Sequence, residues 1–368
     1  MSRTKYEVAD IISQYGLVFK QKFEPTFQEW KVLESIKSCR TSKLGGHIDS
    51  CTSCGRIRIS YNSCRDRHCP KCQSTKRERW IEAREEELLN TSYFHVVFTV
   101  PEPLNSLFLF RSKTMYNILF DAVNKTLETF ALDPKHLGAQ GGHLLILHTW
   151  GQNLMFHPHV HCIVPSGGLT TDLKWKNSRK KFFLPVKVLS RKFRGKFLAL
   201  LKTQFPQIDA SLLDTCYNKE WIVYCKPPFK TAACVVEYLG RYTHRVAISN
   251  NRILKIENDN VSFKWRDYKD QNKWKVMTIS AEEFIRRFLL HILPQCFMKI
   301  RHYGILGNRN KIKKLTLCKV LTKTKLIIKE KASALDLIRK LIGKDISNCP
   351  ACGADWFSVN SFSYPLLC

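Results

Sequence analysis

The run from Phe156 to Pro165, FHPHVHCIVP, constrains the fold of this chain more than any other stretch. Two histidines, His159 and His161, flank Val160 at the head of an apolar segment. Residues i and i+2 of a β-strand point to the same face, so both imidazoles are expected on one side of a sheet while Val160 enters the core. Two ligands held on a strand make two-thirds of an open metal site, which needs one more protein ligand.

A second strand is predicted just before this run, over residues 143–150. The connection around Asn153 is short, which favours two antiparallel neighbours. His148 lies on this earlier strand, residues 143–150, and is the preferred third ligand, with Gln152 and His157 as open alternatives. A lone His-x-His is more often a pair of surface histidines. If the site forms, nitrogen ligands suit Mn²⁺ better than Mg²⁺, although either ion can serve a phosphate.

Two tyrosines, Tyr238 and Tyr242, follow later in the chain, within the sequence YLGRYTHR. A spacing of four places both phenols on one face of the helix predicted over residues 235–245. Aromatic pairs at this spacing usually pack in cores. Here Arg241 and Arg245 lie beside the phenols, and a phosphate explains that combination better than an apolar contact does.

The charge balance indicates a polyanionic partner. The chain of 368 residues has 60 Lys+Arg against 31 Asp+Glu, a net charge of +29, which favours nucleic acid. No signal peptide is visible and no run reaches the ~18 apolar residues of a membrane span, so a cytosolic, nucleoid-associated protein is expected. Cytosolic thiols stay reduced, which makes the 15 cysteines metal ligands or core residues rather than disulfides.

Six cysteines crowd between residues 39 and 72, which indicates a small metal module. Two C-x2-C pairs separated by 14 residues predict a structural Zn²⁺ site. The ligands of this predicted site are Cys51, Cys54, Cys69 and Cys72. The donors left over, which form a candidate second zinc set or serve as core thiols and a turn cap, are Cys39, His47, Cys64 and His68. Nearby Arg65 and Arg67 favour DNA recognition, since four protein ligands leave no open position for catalysis.

Strands, helices and antiparallel pairing indicate an α+β fold in three parts. Residues 1–90 form a zinc-binding module with flanking helices, residues 91–310 a catalytic domain, and residues 311–368 a basic tail. Further short strands are predicted over residues 94–100, 221–225, 246–248, 253–256 and 261–265. In the tail, Cys349 and Cys352 form half of a possible metal site. The candidates for its other half are Cys318 and Cys368, or the pair binds no metal.

Together these motifs resemble those of the insertion-sequence 91 family of rolling-circle transposases, which are two-tyrosine HUH (histidine–hydrophobic–histidine) endonucleases. The matching segments are residues 51–72, 147–154, 157–168, 238–245 and 301–309. The resemblance implies an antiparallel sheet flanked by helices, of RRM/ferredoxin-like type, preceded by a small zinc-ribbon domain.

The resemblance also implies a mechanism. A Mg²⁺ or Mn²⁺ ion on His159, His161 and a third ligand polarises a phosphate of single-stranded DNA, and a tyrosine attacks to leave a 5′-phosphotyrosine. The implied partners are single-stranded transposon ends and target DNA, and monomer and dimer both stay open. The sequence contains no G-x-x-x-x-G-K-[ST] loop, in agreement with a transesterification that needs no ATP.

Other functions stay open. A non-catalytic zinc-ribbon regulator would bind DNA without forming an adduct, and a metallohydrolase would leave both tyrosines without a role. A replication initiator or relaxase would share the chemistry, but the amino-terminal ribbon and the absence of a helicase motif favour a transposase. Trp150, Trp265 and Trp274, set among basic residues, are candidates to stack on unpaired bases or to pack in a core.

Overall fold

The structure is a computed structural model that describes residues 5–178, 185–229, 234–235, 240, 246–268, 270–325, 332–343 and 345–362. Its helices are α1 (Val8–Phe23), α2 (Phe27–Ser38), α3 (Gln73–Glu85), α4 (Asn105–Phe110), α5 (Ser112–Leu132), α6 (Val186–Gln204), α7 (Ala210–Asn218), α8 (Ala281–Leu289), α9 (Lys311–Leu321) and α10 (Ala334–Ile342). Its strands are β1 (Gly46–Cys51), β2 (Ile57–Tyr61), β3 (Tyr93–Thr99), β4 (Gly142–Trp150), β5 (Phe156–Pro165), β6 (Gly167–Leu169), β7 (Trp175–Asn177), β8 (Val223–Phe229), β9 (Ile253–Glu257), β10 (Asn260–Asp267), β11 (Lys273–Ser280), β12 (Ile300–Gly304) and β13 (Trp356–Phe362).

A five-stranded antiparallel sheet in the order β12-β4-β5-β3-β8 carries the His-x-His motif. Strands β4 and β5 are antiparallel neighbours, as their short connection predicted, and His148 lies directly opposite His159. One face of the sheet packs on α5 and α6 in the largest core cluster, to which Leu145 and Val160 contribute fully buried side chains. The predicted α+β class, with an antiparallel sheet flanked by helices, is confirmed.

A second core joins the amino-terminal helices to residues far along the chain. Helices α1 and α2 pack with α8 and with the three-stranded sheet β11-β10-β9. An ion pair between Lys22 Nζ and Glu282 Oε2, 2.7 Å long, connects α1 to α8. The Val8 N–H also donates to Asn250 Oδ1 at 3.2 Å. These contacts fix the amino-terminal module against the rest of the protein, and the predicted boundaries between the three parts stay predictions.

Local sequence explains where the helices of this second core begin. Thr26 precedes α2, and its hydroxyl accepts from the Glu29 N–H at 3.3 Å while the Glu29 carboxylate accepts from the Thr26 N–H at 2.8 Å. This reciprocal cap satisfies two backbone donors that a helix start leaves unpaired. Helix α8 is amphipathic, and its buried residues Phe284, Ile285 and Phe288 recur at helical spacing.

Most of the predicted short strands are confirmed, since β3, β8, β9 and β10 overlap them. The strand predicted over residues 246–248 is wrong, because this segment has no strand pairing. Ala247 and Ile248 are instead buried in the second core. A short apolar run indicates burial, and its periodicity alone does not distinguish a strand from a packed loop.

The tail returns to the amino-terminal module. Strand β13 pairs antiparallel with β1, which also pairs with β2, so that the three form a sheet in the order β13-β1-β2. Within the ranges described above, no helix is both long and apolar enough to cross a bilayer.

Candidate metal centre and zinc module

Three histidines converge on the sheet face opposite α5 and α6. His148 lies on β4, and His159 and His161 lie on β5. The Nε2 atoms of His159 and His161 are 3.1 Å apart, and one ring nitrogen from each of the three histidines lies within 4.8 Å of the others. Nitrogens that each lie about 2 Å from one ion are about 3 Å apart, so the arrangement fits a shared metal ion.

Hydrogen bonding leaves one nitrogen of His159 available as a ligand. Its Nδ1 lies 2.7 Å from the carbonyl oxygen of His157, so Nδ1 carries the proton and donates it. Burial, with a smaller contribution from His157, lowers the pKa of His159 to about 4. The ring is therefore neutral at pH 7, and its Nε2 presents a lone pair.

His95 supports His161 from the adjacent strand β3. Its Nε2 lies 2.9 Å from His161 Nδ1, and the two rings stack at 5.1 Å between centroids. Burial lowers the pKa of His95 to about 3, so this ring is neutral. His161 can offer Nε2 to a metal only if its Nδ1–H donates to His95 Nε2, the kind of outer contact that fixes the tautomer of a ligand. His95 was not among the predicted site residues, although a histidine inside an apolar strand is a signal for a polar partner on the sheet.

Of the three candidates for the third ligand, His148 is the one that lies beside His159 and His161. Gln152 donates from its Nε2 to the Tyr268 hydroxyl at 2.9 Å. His157 is exposed and lies outside the three-histidine group. Trp150 stacks on the His148 ring with a centroid distance of 4.6 Å, which restricts how that imidazole can turn.

Tyr238, Tyr242, Arg241 and Arg245 lie outside the described residues. Their predicted roles as nucleophiles and phosphate ligands therefore stay predictions.

The backbone beside the tyrosines reaches the histidine face of the sheet. Val235 is fully buried and clusters with residues such as Leu144 and Ile163. These two residues alternate in phase with His148 and His161, so they share the histidine face. A Cβ on Gly240 would lie 2.2 Å from Ile81 Cδ1, so Gly240 lies close against α3.

The two arginines predicted to contact DNA differ in their surroundings. Arg65 is exposed, in the turn that leads to α3. Arg67 is partly buried and donates from Nη1 to the Phe297 carbonyl at 2.6 Å. The Arg67 contact connects the cysteine-rich turn to the residues just before β12.

The structure regroups the cysteines and corrects the predicted zinc sets. The residues that come together first, with Sγ atoms within 4.8 Å, are Cys39, Cys64, Cys69 and Cys72. Sγ of Cys72 lies 3.4 Å from that of Cys39 and 3.5 Å from that of Cys64. Hydrogen bonds among the four thiols lower the pKa of Cys39 and Cys72 and raise that of Cys64 and Cys69, so the four titrate as one group. Cys51 and Cys54 lie apart from this group, at the turn that connects β1 to β2.

Neither histidine of the predicted second set joins a cysteine group within the described residues. His47 is exposed on β1. His68 bonds through Nδ1 to Asp66 Oδ1 at 3.0 Å, and its Nε2 accepts from the Leu293 N–H at 3.1 Å. The reading of His68 as a residue that caps a turn agrees with these contacts.

A second cysteine group unites the two ends of the chain. Its members, with Sγ atoms within 4.8 Å, are Cys51, Cys54, Cys349 and Cys352. Sγ of Cys51 lies 3.3 Å from that of Cys352, and Sγ of Cys54 lies 3.7 Å from that of Cys349. The predicted partner Cys318 is wrong, since it is buried in a separate small cluster. The other, Cys368, lies outside the described residues.

Comparisons with known proteins cover both the zinc-binding module and the part of the chain that contains the three histidines. A family model described as a putative transposase matches residues 142–314, and one described as a transposase zinc-binding domain matches residues 11–100. The chain is 46% identical to the putative transposase y4qJ of Sinorhizobium fredii, across 96% of this chain and 94% of that protein. It is 29% identical to the transposase for insertion sequence element IS801 of Pseudomonas savastanoi pv. phaseolicola, across 76% of this chain and 71% of that protein. No solved structure shows a significant match.

Proposed function

The chain belongs to the insertion-sequence 91 family of transposases, and we propose that it cuts and rejoins single-stranded DNA by metal-assisted transesterification in rolling-circle transposition. The observation that carries this proposal is the convergence of three imidazoles on the sheet face opposite α5 and α6. Three protein ligands leave coordination positions for phosphate oxygens, whereas a structural site is closed by four.

His148, His159 and His161 are the residues that would hold Mg²⁺ or Mn²⁺. When bound, the ion supplies Lewis-acid polarisation of the scissile phosphate. The chain's own residues prepare the site. His157 fixes the tautomer of His159 through its carbonyl, His95 accepts from His161, and Trp150 packs on the ring of His148.

Tyr238 or Tyr242 would supply the nucleophile. Its phenolate oxygen forms a bond to phosphorus as the bond from phosphorus to the 3′ oxygen breaks, and that oxygen takes up a proton. The 5′ end then remains on the tyrosine as a phosphodiester, which a 3′-hydroxyl can attack to rejoin the strand. A phenol has a pKa of about 10, so cations such as Arg241 and Arg245 are needed to favour the phenolate. Val235, three residues before Tyr238, is buried on the histidine face, which supports a nucleophile close to the metal site.

The amino-terminal module is a zinc-binding domain of this family. We assign its structural zinc to the compact group of Cys39, Cys64, Cys69 and Cys72. Four thiolates close the coordination sphere, so this ion supports the fold rather than the chemistry. It would hold exposed Arg65 in position for a DNA phosphate.

Of the three tryptophans that are candidates for base stacking, Trp274 is the best placed. Trp150 and Trp265 pack against the second core, whereas Trp274 is 61% exposed. Trp274 lies directly opposite Arg266 on the neighbouring strand, which combines an aromatic surface with a cation. Such pairs are typical of surfaces that hold single-stranded nucleic acid.

The metal requirement tests the proposal. The protein is incubated with end-labelled single-stranded DNA that carries the end of its element, in Mn²⁺, in Mg²⁺ or with EDTA. We expect cleavage by the wild type in either metal, and loss of cleavage in EDTA and in His159→Ala and His161→Ala. His136→Ala is the control, because His136 is an exposed histidine outside the three-histidine group, and it should retain cleavage. Cleavage that persists in His159→Ala or in EDTA would overturn the assignment of the metal centre.

A further inference from the structure

We infer that Cys51, Cys54, Cys349 and Cys352 bind a second structural zinc ion, which ties the carboxyl-terminal segment to the amino-terminal module. Each half of the site comes from a different end of the chain, yet all four Sγ atoms lie within 4.8 Å of one another. Four thiolates at this spacing select Zn²⁺. The inference concerns the fold of the free protein and does not depend on the proposed DNA chemistry.

The two halves have the same local sequence and the same turn. Each reads C-x-x-C-G, and the closing glycines Gly55 and Gly353 have φ values of 68° and 77°. A left-handed residue at this position favours glycine, since it has no Cβ. The repeated motif therefore predicts two equivalent knuckles.

The backbone hydrogen bonds of the knuckles also match. In the first, the Cys51 N–H donates to the Arg56 carbonyl at 2.9 Å, and the Gly55 N–H donates to the Cys51 carbonyl at 3.2 Å. In the second, the Cys349 N–H donates to the Ala354 carbonyl at 2.8 Å, and the Gly353 N–H donates to the Cys349 carbonyl at 2.9 Å. Both knuckles thus present their two thiols in the same way.

Strand pairing places the knuckles side by side. Cys51, at the end of β1, lies opposite Trp356, at the start of β13. The Thr52 N–H donates to the Asp355 carbonyl at 3.1 Å, immediately beyond this pair. The ladder between β1 and β13 therefore ends where the four thiols meet.

The three-stranded sheet β13-β1-β2 buries too little apolar surface to hold its strands together without a metal. Most of β13 and β2 is exposed, including Ile57 and Ile59, which are 66% and 53% exposed. The side chain of Arg58 contributes by stacking on Trp356 at 4.4 Å and by pairing with Asp49 at 2.9 Å. Such partly exposed contacts are each worth about 1 kcal/mol or less. A structural zinc supplies folding free energy where a core is too small.

The second zinc would also fix helix α10 against α3. Helix α10 immediately precedes the second knuckle, and its Lys340 pairs with the nearly buried Glu78 of α3 at 3.0 Å. Helix α3 in turn approaches Gly240 through Ile81. Zinc bound by both ends of the chain would therefore position α10 on α3, the helix that contacts Gly240.

Zinc content tests the inference. The full chain is purified without chelators, and zinc per chain is measured by plasma mass spectrometry. We expect the wild type to contain one zinc ion more per chain than Cys352→Ser, a difference that zinc on the three-histidine centre does not alter. Cys296→Ser is the matched control, since Cys296 is exposed and belongs to neither cysteine group, and its zinc content should equal that of the wild type. Equal zinc content in the wild type and Cys352→Ser would overturn the inference.

Thiol alkylation gives an answer that does not depend on a variant that folds. Cys54, Cys352 and Cys296 are all exposed, so burial alone protects none of them. In the zinc-loaded wild type we expect N-ethylmaleimide to modify Cys296 quickly and Cys54 and Cys352 slowly, because coordination to zinc draws electron density from a thiolate and lowers its nucleophilicity. Zinc removal should raise the rates at Cys54 and Cys352 toward that at Cys296. Equal rates at all three in the zinc-loaded protein would refute the second site.

Discussion

The histidine centre and the cysteine sites use metal ligands in opposite ways. The histidines lie on a sheet whose other face is already packed against α5 and α6, so the fold exists before any metal binds. The cysteines lie in turns and at helix ends: Cys39, Cys69 and Cys72 complete the second core, whereas the group of Cys51 and Cys349 lies beside mostly exposed strands. In the first case the fold positions the metal, and in the second the metal would position the fold. Removing a ligand should therefore cost activity in one region and structure in the other.

The largest effect is expected from Cys72→Ser. Cys72 is 8% exposed, and its Sγ lies closest to two other thiols in its group. A structural zinc contributes roughly 10–16 kcal/mol at pH 7, which is comparable with the whole stability of a domain, about 5–15 kcal/mol. Hydrogen exchange should show loss of protection in α1 and α2, with Cys296→Ser as the unaffected control. Native protection in zinc-free Cys72→Ser would remove the contrast between the two regions.

His159→Ala should separate activity from stability. Loss of a metal ligand removes several kcal/mol of transition-state stabilisation, and about 3 kcal/mol already corresponds to a rate decrease of about a hundredfold. The thermal midpoint should change by only a few degrees, because the His159 side chain is only partly buried and lies on the sheet face away from the largest core. Single-turnover cleavage and calorimetry on the same preparation measure both quantities. A collapse of the midpoint would mean that the histidine face also holds the fold together.

His95 should act on the metal through His161, with a smaller effect. His95→Phe fills the space but removes the acceptor for His161 Nδ1–H, and loss of such an outer contact typically costs about 10- to 100-fold in metal affinity or activity. His95→Asn keeps a carbonyl acceptor and should recover part of the loss. The measurement is cleavage as a function of Mn²⁺ concentration, which a purely structural role would not shift. Identical Mn²⁺ curves for both variants and the wild type would exclude a positioning role.

Trp274→Ala should have the smallest effect and should leave both metal sites intact. We expect about 1 kcal/mol, or roughly fivefold weaker binding of single-stranded DNA, at the lower end of the range for stacking on one base. Fluorescence anisotropy with a labelled oligonucleotide measures this change. Phe27→Ala is a suitable control, because Phe27 is an exposed aromatic, at 83%, at the start of α2. Equal affinities for Trp274→Ala and the wild type would place the DNA on another surface.

The contrast between the regions also explains what the sequence could predict. The histidine centre follows from short-range rules, since alternation places His159 and His161 on one face and a short turn brings His148 opposite. These relations involve residues within a few positions of each other or across one turn. His95 was missed because its strand is distant in sequence and pairs with β5 only in the folded sheet.

The cysteine sets depend on pairing between the ends of the chain, which spacing does not encode. The pairs Cys51/Cys54 and Cys69/Cys72 have a spacing typical of one site, yet β1 pairs with β13 and brings Cys349 to the first pair. The useful signal was the glycine after the second cysteine, present in CTSCG and CPACG but absent from CPKCQ. That glycine distinguishes equivalent knuckles from a pair that leads directly into helix α3.

The most direct test of the proposed chemistry is to find the atom that carries the DNA after cleavage. Wild-type protein is incubated with single-stranded element ends and Mn²⁺, digested with trypsin, and the DNA-linked peptide is sequenced by mass spectrometry alongside Tyr238→Phe, Tyr242→Phe and the double variant. We predict a 5′-phosphate ester on Tyr238 or Tyr242, a free 3′-hydroxyl on the released strand, and no adduct in the double variant. Metal-dependent cleavage that yields free 5′-phosphate ends with no peptide attached would show water to be the nucleophile and would contradict the account.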